Sequence, residues 1–311
     1  LKEIEIEQPK TISFNQTLRG LLIEIRPKEW AKNLLVFSGV IFSRSLTDFH
    51  NFWISFLGFL IFCAASSGIY IFNDLCDIKE DREHPFKRNR PLASGALNVN
   101  LARLAMTLLF AVSAFGALLL NQGFALIIGI YLLTCLAYSF KLKDIVILDV
   151  LLVASGFVLR AVSGAVIIGV TASEWLVLCT SMVALLVGFG KRRHELVLLE
   201  KSAEYHRRTL SDYSLSFLDS IMNICAGAAV ITYALYTRAD ETVERVGSNA
   251  MLLTIPFVVY GVFRYLFLIH KCEAGGDPVQ LLFRDRATLF NLFLWILAAV
   301  LIIYLPKILN F

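Results

Sequence analysis

Charge is scarce in this chain. Asp, Glu, Lys and Arg make up 17% of its 311 residues, against about a quarter in an average soluble domain. The scarcity is uneven, and Leu104 to Phe140 carries no charge at all. With 57% hydrophobic residues and a mean hydropathy of +0.68, this excludes a soluble domain and points to a polytopic membrane protein. The six cysteines (Cys63, Cys76, Cys135, Cys179, Cys225, Cys272) show no CxxC spacing. That argues against a paired-cysteine metal or redox site and leaves them as small hydrophobes in apolar runs. GxSxG, Walker and HExxH signatures are absent. His84, His194 and His206 are too scattered for a three-histidine metal site. No internal repeat of about 20–50 residues and no low-complexity tract is present. Leu1 to Lys10 is acidic and polar and leads into no apolar core with a cleavage site, so no secretory leader is expected. No nucleic-acid partner is expected.

What is present is a series of apolar runs bounded by charge. Asn33 to Ser43 is uncharged for only 11 residues, about 16 Å of helix, so the first span must take in Arg26 to Lys32. Span two is Phe52 to Phe72. Asn121-Gln122-Gly123 breaks the long run from Leu104 to Phe140 into a hairpin, giving spans three and four. Ile145 to Val170 is span five, with Asp149 and Arg160 inside it, and Trp175 to Gly190 is span six. Ser220 to Thr237, Ser248 to Ile269 and Ala287 to Pro306 complete nine. The expected fold is all-α: one nine-helix membrane domain over residues 26–311, after an N-terminal cytoplasmic segment 1–25. Placing the N-terminus inside puts 24 of the 29 Lys and Arg on the cytoplasmic side and four outside, a strong positive-inside bias. The inner loops are also the long, charged ones, so function is expected at the cytoplasmic face of an integral inner-membrane protein.

The chemistry concentrates at Asn73-Asp74-Leu75-Cys76-Asp77-Ile78-Lys79-Glu80-Asp81, directly after the charge-free run Asn51 to Phe72. On one continuous helix, Asp74, Asp77 and Asp81 fall within about 60° of arc. A stripe of hard oxygen ligands suits Mg²⁺, and Mg²⁺ held by few carboxylates usually brings phosphates with it. Arg82, Lys87, Arg88 and Arg90 follow. Metal plus basic donors is what a diphosphate leaving group needs. A solvated juxtamembrane loop accounts for the bases but not for three acids on one face.

Four further groups stand out, each with a plainer alternative. Tyr138 to Asp144 ends span four with Lys141 and Lys143, or is simply an interfacial tyrosine with snorkelling lysines. Asp149 and Arg160 are nearly eclipsed after three turns and can both face the bundle interior. An intramembrane arginine marks a polar cavity or anionic ligand, or a structural ion pair. Lys191-Arg192-Arg193-His194-Glu195, with His206-Arg207-Arg208 beyond, is a second cluster after span six, basic in balance, or ordinary positive-inside residues. Arg26-Pro27-Lys28-Glu29-Trp30-Ala31-Lys32-Asn33 opens span one. There Lys28 and Lys32 must reach water or a polar cavity, or merely anchor the interface with Trp30.

Asn73-Asp74-x-x-Asp77-x-x-x-Asp81 in such a bundle resembles the UbiA superfamily of intramembrane prenyltransferases. Arg26 to Asn33, Asp81 to Pro91, Leu142-Lys143 with Leu148-Asp149, Leu159-Arg160-Ala161 and Gly190 to Leu196 are similar to its decaprenyl-phosphate phosphoribosyltransferase branch. The resemblance runs from about Arg26 to Arg286. One departure matters. Prenyl-diphosphate users carry a second Asp-rich motif after span six, and here Lys191 to Glu195 stands in that place. A basic cluster suits additional phosphates better than a second metal.

The resemblance implies an Mg²⁺-dependent glycosyltransferase that moves 5-phosphoribosyl from phosphoribosyl diphosphate (PRPP) to a polyprenyl phosphate. Asp74, Asp77 and Asp81, with Asn73, are expected to hold Mg²⁺ on the diphosphate. Arg82, Lys87 and Arg90 are expected to clamp it. Lys191 and Arg192 are expected on the 5-phosphate, Lys28, Lys32, Lys143 or Arg160 on the lipid phosphate, and Tyr138 in the substrate pocket. The prenyl tail is expected in an apolar groove open sideways to membrane lipids. The rivals are an aromatic prenyltransferase of the 4-hydroxybenzoate type and, from another class, a transporter.

Overall fold

The computed structural model describes residues 14–83, 87–200, 212–272 and 285–308. It is all-helical across them. The helices are α1 (Phe14–Glu24), α2 (Ser38–Phe42), α3 (Phe49–Cys76), α4 (Ile78–Glu83), α5 (Val99–Leu120), α6 (Gln122–Phe140), α7 (Leu148–Ile167), α8 (Glu174–Glu200), α9 (Leu215–Arg238), α10 (Asp240–Val246), α11 (Ile255–Cys272) and α12 (Arg286–Ile308). Eight helical stretches among the described residues are long and apolar enough to cross a membrane. Their outward faces expose large apolar side chains, such as Leu119, Phe49 and Leu253. Hydrocarbon rather than water is the solvent that tolerates such faces.

The first expected span is not among those eight. It runs as a 3₁₀ segment, Pro27–Phe37, followed by the five-residue α2. A 3₁₀ helix rises about 2.0 Å per residue against 1.5 Å for α, so these 16 residues reach about 30 Å. That equals the hydrocarbon thickness by length alone, and the helices long and apolar enough to cross number eight, not the expected nine, among the described residues. The segment lies flush on α7. A Cβ built on Gly39 would meet the Gly164 carbonyl oxygen at 2.0 Å, and one on Gly164 would meet the Val36 oxygen at 2.0 Å. Only glycine allows backbones this close.

The loops behave as their residues dictate. Asp48, Asn98 and Ser214 cap α3, α5 and α9 through their side-chain oxygens, as short polar side chains do at helix N-termini. Asn121 alone joins α5 to α6: its N–H bonds Ala117 and its side chain accepts from Phe124. α8 departs from expectation. It does not end near Gly190 but continues to Glu200, which puts Lys191 to Glu195 on a helix rather than in a loop.

Apolar packing forms two main cores. One joins α3, α5, α6 and α7 around Phe62, Phe124 and Tyr131. The other joins α7, α8, α9 and α11 around Leu186, Leu218 and Met222. α7 belongs to both, so polar residues on its inward face stand where the two halves meet.

Candidate active site

The acidic stripe is divided. α3 ends at Cys76, Asp77 sits in the bend, and α4 begins at Ile78. Asp74 and Asp81 are both buried and converge on one atom: Arg90 Nη1 donates to Asp74 at 2.9 Å and to Asp81 at 2.7 Å. Arg26 donates to both oxygens of Asp74 at 2.6 Å, and Lys87 lies 3.8 Å from Asp81. Asp77 faces another way, 3.5 Å from Lys143. The expected single face of three aspartates is therefore two plus one, because the bend at residue 77 rotates the carboxylates apart.

Arg26 reaches Asp74 from a left-handed backbone conformation (φ 49°, ψ 64°). Proline at position 27 disfavours the right-handed helical region for the residue before it. Strain of this kind persists where surrounding contacts over-determine it, here the bidentate pair with Asp74. Arg82 does not reach the carboxylates; its Nε donates to the Ala93 carbonyl at 3.0 Å and ties α4 to the loop that carries Arg90.

A carboxyl that sequence reasoning passed over completes this half. Glu24, the last residue of α1, is 1% exposed. It accepts the Leu92 N–H at 3.0 Å and lies beside Asp74. Burial, and then the neighbouring Asp74, push its pKa up to about 8. Nothing in the local sequence marks it, because the significance comes from α1 folding back onto Pro91 and Leu97.

The second half is built on α6, α7 and α8. Asp149 is fully buried, and its partner is not Arg160. Arg192 Nε donates to it at 2.6 Å and Tyr213 at 3.1 Å. Arg192 also donates to Glu195 at 2.6 Å and Tyr138 at 3.2 Å. Tyr213, another residue not singled out from sequence, receives the Ile147 N–H at 2.6 Å. Ile147 has a positive φ of 69°, so Tyr213 secures the strained turn from which Asp149 enters α7. Arg193 points away to Asp219, at 2.5 Å, which also meets His270.

Arg160 is buried among neutral acceptors: the Asn33 side chain at 2.7 Å, the Gly156 carbonyl at 2.8 Å and the Tyr131 hydroxyl at 2.9 Å. Its guanidinium also lies over the Tyr131 ring, 4.8 Å from the centroid. Asn33 in turn donates to Ser66 at 3.2 Å. This network pins the 3₁₀ segment between α3 and α7. Lys32 on that segment pairs with Glu29, and Lys28 is exposed. Lys191 has no ion-pair partner among the described residues, although the charges of Lys32, Glu195 and Arg192 all act on it.

The halves meet at a small cavity, about 60 Å³, lined by Asn73, Cys76, Asp77, Tyr138, Ser139 and Lys143. Ser139 donates to Asn73 across it at 2.5 Å. Ligand pockets run to about 300 Å³ and more, so this cavity is smaller than a typical ligand pocket as it stands. A separate apolar groove of about 370 Å³ runs over α6, α7 and α8 past Ile130, Leu151, Ser155 and Val158. By helical position these α7 residues lie opposite Asp149 and Arg160. His84 and His206-Arg207-Arg208 lie outside the described residues.

No three Asp, Glu, His or Cys side chains among the described residues form a ready metal cage. The donor set nonetheless fits Mg²⁺ in kind: two buried carboxylates already hold one cationic nitrogen between them, and Asn73 and Asp77 add hard oxygens nearby.

The UbiA prenyltransferase family matches residues 34–264. Decaprenyl-phosphate phosphoribosyltransferase of Corynebacterium glutamicum is 32% identical over 92% of this chain and 87% of its own length. The protein of that name from Mycolicibacterium smegmatis is 31% identical over 94% and 95%. Among solved structures, a UbiA homolog from Archaeoglobus fulgidus bound to GPP and Mg²⁺ superposes with a TM-score of 0.69 at 19% identity, over 91% of this chain and 99% of that one.

Proposed function

The chain belongs to the UbiA prenyltransferase family, and from that premise we propose that it transfers 5-phosphoribosyl from PRPP to a polyprenyl phosphate, releasing diphosphate, at the cytoplasmic face of the membrane. The observation that carries the site is Arg90 Nη1 seated between Asp74 and Asp81, with Arg26 and Lys87 around them. Such a set complements a cation bound to a polyphosphate. The choice of a sugar diphosphate rests on the relatives named decaprenyl-phosphate phosphoribosyltransferase, similar along nearly the whole chain. The positive-inside bias supports the orientation.

In this reading Asp74 and Asp81, with Asn73 and with Asp77 once released from Lys143, would hold Mg²⁺ at the donor diphosphate. Held there, Mg²⁺ would supply charge neutralisation for the departing diphosphate. Arg90 and Lys87 pass from the carboxylates to diphosphate oxygens, and Arg82 anchors their loop. The acceptor phosphate is already anionic near neutral pH, so its oxygen forms the new bond to C1 without a dedicated base. Lys191, exposed on α8 next to Arg192, takes the 5-phosphate. Arg192 orients Asp149 and Tyr138 beside it. Lys28, Lys32 and Lys143 receive the lipid phosphate. Arg160, buried among neutral acceptors, contributes positive potential and holds Asn33 in place.

The test is mass spectrometry of lipid products from purified protein given PRPP or a prenyl diphosphate, each with Mg²⁺ and polyprenyl phosphate. A phosphoribosylated lipid is expected from PRPP. Product only from the prenyl diphosphate, in the presence of an aromatic acceptor, would overturn the assignment. Asp74→Asn should lower turnover at least about a hundredfold, since loss of one metal-bound carboxylate costs several kcal/mol at the transition state.

A further inference from the structure

Asp74 and Asp81 are not waiting for a cation; they already hold one. A single nitrogen of Arg90 satisfies an oxygen of each, at 2.9 and 2.7 Å. Arg26 takes both oxygens of Asp74, and Lys87 stands 3.8 Å from Asp81. Around these two carboxylates stand three basic groups. Counting Glu24 as ionised only brings the acids level with the bases. Asp77 adds nothing to the balance, because Lys143 offsets it. A bare divalent ion therefore meets no net negative charge here, and to reach the carboxylates it must displace Arg90 from the two anions that pair with it among the described residues.

A metal diphosphate meets a different site. Its metal takes the carboxylate oxygens while its phosphate oxygens offer Arg90, Arg26 and Lys87 new partners of the opposite sign. Charge-assisted bonds to carboxylate are then exchanged for charge-assisted bonds to phosphate, and no guanidinium is left without an anion. Arg90 is placed to act as the exchange point, being the one side chain among the described residues that bridges the two carboxylates.

We propose that Arg90 sets the order of binding: it is an internal counter-ion that keeps the divalent ion out until a diphosphate arrives with it. Metal and diphosphate load together, and the protein without diphosphate has low affinity for the metal. The proposal rests on the metal–diphosphate reading of this site given above.

Equilibrium dialysis of the purified full-length protein tests it, with Mn²⁺ as the metal and inorganic pyrophosphate as the anion, reading protein-bound metal and protein-bound pyrophosphate separately. In the wild type, bound Mn²⁺ is expected to be low alone and to rise on the order of tenfold with pyrophosphate, the scale set by one unit charge at close range in a partly solvated site. Arg90→Gln is expected to raise binding of Mn²⁺ alone by a similar factor and to lower pyrophosphate uptake. Arg90→Lys, which keeps the charge but loses the fork, should fall between. Wild-type protein that binds Mn²⁺ equally well with and without pyrophosphate would overturn the binding order while leaving the metal–diphosphate site intact. So would unchanged Mn²⁺ affinity in Arg90→Gln. Failure of wild-type protein to retain either ligand under any condition would overturn both the order and the site.

Discussion

Gly164→Ala is the sharpest probe of how this bundle positions its site. The new Cβ would lie 2.0 Å from the Val36 carbonyl oxygen and 3.2 Å from the Gly39 nitrogen. Carbon and carbonyl oxygen approach to about 3.3 Å at closest, so the 3₁₀ segment and α7 must part by about 1.3 Å. Both neighbours are backbone, and neither can swing aside as a side chain would. Overpacking of this kind costs about 1–3 kcal/mol. Parting also stretches the Arg160–Asn33 bond, now 2.7 Å, beyond hydrogen-bond range, a further loss of about 1.5–3 kcal/mol for a charged donor. Together about 2.5–6 kcal/mol is expected, seen as a lower unfolding midpoint in a fixed detergent. Turnover should fall as well, because Arg26, Lys28 and Lys32 ride on the displaced segment. Gly129→Ala is the control: its Cβ would meet nothing within 4 Å, and alanine favours a helix by about 0.5–1 kcal/mol. A Gly164→Ala midpoint and turnover equal to those of the control would refute the close-packing argument.

Three other outcomes follow from the same contacts. Glu24 holds its proton up to about pH 8 in the folded protein but releases it near 4.5 when unfolded. Between those values the folded state binds more protons, so stability falls as pH rises; Glu24→Gln should remove that part of the slope in unfolding midpoints measured from pH 5 to 8. Asp149→Asn leaves buried Arg192 with Glu195 as its remaining carboxylate and should destabilise by about 1.5–3 kcal/mol. A double-mutant cycle with Arg192→Gln should show strong non-additivity in chemical unfolding, and additive effects would mean the pair is not coupled. Arg160→Lys cannot serve Asn33, Gly156 and Tyr131 at once. It should cost about 2–3 kcal/mol through acceptors left unpaired, with near-wild-type midpoints counting against the network.

Composition and charge spacing already settle the solvent and the class. Long uncharged runs can only be membrane spans, and Asn121 is legible as a hairpin because one polar residue between two apolar helices has few other uses. The sequence also marked the chemistry: Asp74 and Asp81, with Arg90 close behind, are recognisable since carboxylates and bases at a span's end are costly without a role. What it could not determine was pairing. Periodicity assumes one unbroken helix, so it placed Asp77 with Asp74 and Asp81, while the bend after Cys76 turned it to Lys143. Span and loop are inferred from charge, so Lys191 to Glu195 looked like a loop. In the fold it is helix, because Arg192 finds a buried anion in Asp149. Arg160 and Asp149 share a face as their spacing requires, yet each is satisfied by a different element. Glu24 and Tyr213 carry no local signal, since their importance arises only when distant segments fold against Asp74 and Asp149. A sequence states which groups exist and which way each turn points. Only tertiary structure assigns the partners, because every buried charge must be neutralised or hydrogen-bonded by whatever the neighbouring helices bring within about 3 Å.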